Sequence, residues 1–152
     1  MTAHLMTRSG VVAATINCYR LQCGLPACHS ASGTPVMLTS SQAGAIGMPE
    51  GLGRRVLRSL RIAMLAGPVL AEPDEGNWLF LSTPIQDSRP DLLTGLAEVG
   101  VFVVAPGRPI TLPEDLHGRD ERWVVAPLPR RDLTPWQAVL ATIRRSAVGM
   151  AA

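Results

Sequence analysis

The stretch GPVLAEPDEGNWLFLSTP, residues 67–84, sets the scale on which this chain can fold. Two short apolar runs are cut apart by glycine, proline and a polar turn. The same punctuation recurs throughout, with 14 glycines and 13 prolines in 152 residues. Such spacing is expected of many short elements joined by tight turns. The length suits one domain, and 47% apolar against 17% charged residues supplies a core rather than a disordered segment. We read residues 1–152 as a single domain with a flexible N-terminus over 1–8.

Periodicity places the elements. A helix is expected from Ser9, as N-cap, to Gln22, with Gly24 beyond its end. PVMLTS (Pro35–Ser40) and AGAIGM (Ala43–Met48) read as strands. PEGLGRRVLRSLRIAMLAG is the strongest helix signal. Pro49 suits its first turn, Glu50 its positive end, and Leu52, Val56, Leu60 and Met64 form one buried stripe. PVLAE and NWLFLST follow as two strands around the turn Glu72–Gly76, and a helix capped by Ser88 ends at Gly100. VFVVAP, RPITLP and RWVVAP are further strands. A last helix carries Thr134 as cap, Pro135 at its first position, and Arg144 and Arg145 near its negative end. The expected class is α+β: a mixed, mostly antiparallel sheet with three to four helices.

Composition narrows the setting. No apolar run reaches the ~18 residues of a membrane span. The first residues lack the cleavage site of a secretory signal. All 14 basic residues are arginine, and the net charge is only +2, so a nucleic-acid role requires a local patch. Three cysteines within eleven residues argue against a disulfide framework and suit a reducing compartment, hence a cytoplasmic expectation.

Those cysteines lie in CYRLQCGLPACHS. Zinc takes four nitrogen or sulfur ligands in a tetrahedron, commonly from Cys-x-x-Cys pairs. Cys18, Cys23, Cys28 and His29 have wider gaps, and adjacent residues such as Cys28 and His29 rarely reach one ion. Two readings stand: a structural zinc site on these four residues, or free thiols. The acidic run Glu72, Asp74, Glu75 reads as a solvated turn. Glu114, Asp115, His117, Asp120 and Glu121 read as an exposed loop rather than an acid/base site. No nucleophile elbow, Walker loop or zinc-protease helix occurs.

CGLPACHSASGTP, PVMLTSSQAGAIGMPEGLGRRVLRSL, GPVLAEPDEGNWLFLSTP and GRPITLPE…RWVVAP together resemble the bifunctional DNA primase/polymerase N-terminal domain of high-GC bacteria, within the archaeo-eukaryotic primase superfamily. The likeness runs from Cys23 to Trp136 with gaps. It implies a primase/polymerase-like domain with paired aspartates for two metal ions. Those aspartates would fall where Ala43, Gly44, Ala45, Ile46, Gly47 and Met48 stand, and a further acid near Val101–Val104. Alanine, glycine and other apolar residues cannot hold divalent cations against phosphates. The resemblance therefore implies a degenerate member with no catalytic residues.

One basic feature remains. Arg54, Arg58 and Arg61 recur at spacings of four and three, with Arg55 beside them, on the helix face opposite the Leu52 stripe. Four guanidinium groups there can grip phosphates. The function expected is a catalytically inactive module that binds nucleic acid or protein weakly. The alternative is a protein-interaction or scaffold domain with no nucleic-acid role, and an active nucleotidyltransferase ranks last. No membrane partner is expected.

Overall fold

Strand-forming residues in runs of two to six, separated by turns, condense into two antiparallel sheets in a computed structural model that describes residues 8–85, 95–115 and 122–151. The elements run α1 (Arg8–Leu21), β1 (Ala27–His29), β2 (Pro35–Leu38), β3 (Gly44–Pro49), α2 (Glu50–Ile62), β4 (Val69–Glu72), β5 (Asn77–Ser82), β6 (Phe102–Val103), β7 (Pro109–Thr111), β8 (Trp123–Val125) and α3 (Trp136–Ala151). Residues 95–97 are also helical. The α+β class expected from sequence is the one observed, with its strands divided between a small sheet, β1-β2-β7, and a larger one, β6-β3-β5-β4-β8.

The larger sheet has a split connection. β3 and β4 are both antiparallel to β5, which lies between them, so they run the same way and α2 crosses over from one to the other. β6 pairs on the far side of β3. Side chains alternate across this sheet, as a pleated strand requires. Ile46, Met48, Val69, Trp78 and Phe80 face α2 and α3, whose Leu52, Val56, Leu60, Val139 and Ile143 close that core. Ala45, Leu70, Leu79 and Leu81 face the opposite way, toward Tyr19 and Ile16 of α1, Met37 of β2 and Ile110 of β7. The sheet is thus the middle of three layers. β5 is buried on both faces, which is why it reads as a continuous apolar run instead of an alternating one.

Helix ends account for most differences from the sequence reading. Ser9 already lies inside α1 and is not its cap. α1 ends with Gly24 in the left-handed region (φ +70°) and a bond from the Leu25 amide to the Tyr19 carbonyl. α2 ends by the same device, since the Leu65 amide bonds the Leu60 carbonyl and the Met64 amide bonds the Arg61 carbonyl. The residue in the left-handed position is here Met64, φ +60°. Met64 therefore leaves the buried stripe and is 90% exposed; Gly53 and Leu57 join Leu52, Val56 and Leu60 instead. The helix stops short of Gly67 because these bonds already satisfy its last carbonyls. Pro49 is the residue before α2 and ends β3.

Thr134 does not cap α3 through its side chain: its hydroxyl donates to the Leu65 carbonyl, while Thr83 Oγ1 accepts from the Trp136 amide. The helix continues to Ala151, which leaves Arg144 and Arg145 in its interior and no basic residue in its last turn. VFVVAP yields only the two-residue β6. Ser88 lies outside the described residues, as does the N-terminal segment before Arg8; Gly100, with φ +83°, ends the helical turn at 95–97. Among the described residues no helix is long and apolar enough to cross a membrane.

Candidate functional site

The two helices on one side of the larger sheet concentrate positive charge. Burial of Leu52, Gly53, Val56, Leu57 and Leu60 turns Arg54, Arg55, Arg58 and Arg61 outward, and all four are exposed. α2 and α3 pack side by side, and α3 adds exposed Arg144 and Arg145. Between them the two helices hold these six arginines and one acid, Glu50. Glu50 accepts a 2.6 Å ion pair from Arg54, whose guanidinium carbon also sits 5.3 Å from the Trp78 ring centre. Arg145 donates to Thr142 Oγ1. Among the described residues, Arg55, Arg58 and Arg61 find no side-chain hydrogen bond or ion pair. Arg54, Arg58 and Arg61 line an open groove of about 640 Å³, whose wall is Leu57, Ile62, Trp78 and Val124. Chemically this surface can accept anions.

The cysteines do not assemble. Cys18 lies in the last turn of α1 and Cys23 just past its end. Cys23 is buried in the core beside α1, and that burial, then the charge of Cys18, raises its thiol pKa above the ordinary value. Cys28 and His29 are consecutive in β1, so their side chains project to opposite faces: Cys28 is half-buried and His29 exposed. All three thiols are free. Among the described residues no three of His, Cys, Asp and Glu gather as a metal-binding group. The zinc reading of Cys18, Cys23, Cys28 and His29 thus finds no common centre. The cause is simple: the knuckle segment is drawn out into strand β1, which periodicity in the sequence does not reveal.

The segment Ala43–Met48 is buried throughout. A Cβ at Gly47 would overlap the Phe102 ring, so any side chain there would require that ring to move. Beside it opens a cleft of about 700 Å³ between the larger sheet and β7. It is lined by apolar Leu70, Leu79, Phe102, Val104 and Ile110 and by charged Glu72, Asp74, Glu75, Arg108 and Arg122. Glu72 is half-buried. Its carboxyl is raised above the ordinary value first by burial and second by Glu75, against the opposing pull of Arg108 and Arg122. The run expected to be a solvated turn therefore has one acid drawn into a cavity. Sequence spacing gave no signal for Arg108 and Arg122, which come from separate loops. His117, Asp120 and Glu121 lie outside the described residues, as does His4.

Comparison with known proteins finds no matching family model, curated protein or solved structure.

Proposed function

We propose that this chain is a catalytically silent, primase/polymerase-like domain that binds nucleic-acid backbone through the α2–α3 layer. The observation that carries the proposal is the segregation of charge: six arginines against one carboxylate on two adjacent helices, in a chain whose net charge is only +2. Guanidinium groups pair with phosphate oxygens in a two-pronged geometry and displace condensed counterions. Trp78 is 7% exposed and lies under Arg54, so base stacking is not on offer and binding is expected to be sequence-blind. The silence follows from β3, where alanine and glycine occupy the segment that would otherwise carry cation-binding carboxylates.

The test is duplex binding measured over a salt series. Affinity of the parent chain should fall steeply as salt rises. Arg58→Glu/Arg61→Glu should weaken binding and reduce the logarithmic salt slope by about 2, one unit for each phosphate no longer neutralised. Binding that ignores both salt and these substitutions would overturn the proposal. Nucleotide incorporation that depends on Mg²⁺ or Mn²⁺ would overturn the silence separately.

A second reading, a protein-interaction domain with no nucleic-acid role, rests on the apolar residues at the end of α2. Ile62 is 78% and Met64 90% exposed, with Leu65 beside them. Large apolar groups exposed together on a monomer mark contact surfaces. Salt-insensitive capture of a partner, abolished in Ile62→Ser/Met64→Ser, would favour this reading.

A further inference from the structure

The cleft on the other face of the larger sheet shares no residue with the arginine layer, and its chemistry is different. We propose that it is a binding site for a small zwitterion with an apolar body, of dipeptide chemistry, whose ammonium is held by Glu72 and Glu75 and whose carboxylate is held by Arg108. Three features of the geometry lead there. The volume, about 700 Å³, is that of a small-molecule site and far exceeds a packing defect. Half-buried Phe102 and exposed Pro109 present apolar surface in the cleft above the buried Leu70 and Leu79, so a ligand gains by burying hydrocarbon against those two rings.

The third feature is a charge arrangement the chain leaves incomplete. Glu72, Glu75 and Arg108 stand around one mouth, and Arg108 is close enough to influence the Glu72 carboxyl. Yet among the described residues none of the three finds a side-chain hydrogen bond or ion pair. Glu72 bears the cost of partial burial beside a like charge, which the nearby charges of Arg108 and Arg122 offset only in part and no hydrogen bond from Glu75 or Arg108 relieves. A ligand ammonium between Glu72 and Glu75 would offset burial and repulsion together, and a carboxylate on the same ligand would complete the guanidinium of Arg108. A ligand with only one charge leaves one sign of charge at the mouth unmatched. That is why the geometry selects a zwitterion over a simple amine or acid.

The probe is the dipeptide Leu-Phe, with its N-acetyl and C-amide derivatives, titrated into the full chain while backbone amide resonances are followed. The free dipeptide should give saturable shifts confined to the cleft residues Glu72, Leu79 and Arg108. Each blocked derivative should bind about tenfold or more weakly, as removal of one charge-assisted hydrogen bond requires. In Glu72→Gln the dipeptide should bind no better than its N-acetyl form; in Arg108→Gln it should bind no better than its C-amide. Both positions lie on the rim, and unchanged amide dispersion elsewhere verifies that the variants fold. Absence of saturable shifts at millimolar dipeptide would overturn the proposal, as would blocked derivatives that bind as well as the parent. The arginine-layer reading would be untouched by either result, because no residue of α2 or α3 takes part.

Discussion

The two faces of the larger sheet are covered to different degrees. Toward α2 and α3 the strands present Ile46, Met48, Trp78 and Phe80, and two long helices close over them. Toward the small sheet they present Ala45, Gly47, Leu70 and Leu79, smaller residues met by three short strands and α1, and a cleft remains. Helices with exposed arginines cover one face and leave a groove along its Trp78–Val124 edge, while short strands leave a cleft over Leu70 and Leu79 on the other. The difference teaches that layer coverage follows the size of the covering element more than the apolar character of the strand, since both faces of β5 are equally apolar.

The sharpest way to break this comparison is to truncate one aromatic on each face. Phe80→Ala, in the sealed core and 2% exposed, should cost about 3–5 kcal/mol. Phe102→Ala, half-buried at the cleft, should cost well under half of that, because its cavity opens to water. Urea unfolding measures both, and equal costs would erase the contrast. A smaller effect is expected where the open side is tied together. The Tyr19 hydroxyl donates 2.6 Å to the Pro113 carbonyl and accepts 3.1 Å from Trp123 Nε1, which links α1 to β8. Tyr19→Phe leaves both partners buried and unmatched and should cost about 1–3 kcal/mol in the same experiment.

On the helical side, Met64→Gly should raise stability by about 1 kcal/mol, because a left-handed backbone strains methionine and glycine adopts it freely. A melting temperature unchanged or lowered would mean that the Met64 side chain has a packing role despite its exposure. The smallest effect belongs to Glu72. Its raised pKa means the folded state holds the proton more tightly than the unfolded one, so its contribution is fullest below the ordinary carboxylate range and fades as pH rises through the folded value. Glu72→Gln should therefore be slightly more stable than the parent at neutral pH, with the advantage disappearing in acid. Melting curves from acid to neutral pH would check the sign, and a variant less stable at neutral pH would contradict it.

Legibility in the sequence followed range of interaction. The stripe Leu52, Val56, Leu60 fixed the face of α2 and so the outward turn of Arg54, Arg55, Arg58 and Arg61, since the helical period is a local property. The Glu72–Gly76 turn and its two strands were equally plain. Cys18, Cys23, Cys28 and His29 share only proximity in sequence, and the pleat of β1 sends the last two apart. The cleft was invisible because Glu72 and Arg108 are 36 residues apart and nothing in either segment refers to the other.

The amino-acid order by itself determined the short elements, the α+β class and the arginine stripe, because backbone preference and apolar period act within a few residues. Only the tertiary structure decided that the strands part into two sheets, that Thr83 rather than Thr134 meets the first turn of α3, and that a charged cleft lies opposite the helices. Those outcomes depend on which distant surfaces meet and how completely they cover one another, a matter of packing between layers that no local pattern encodes.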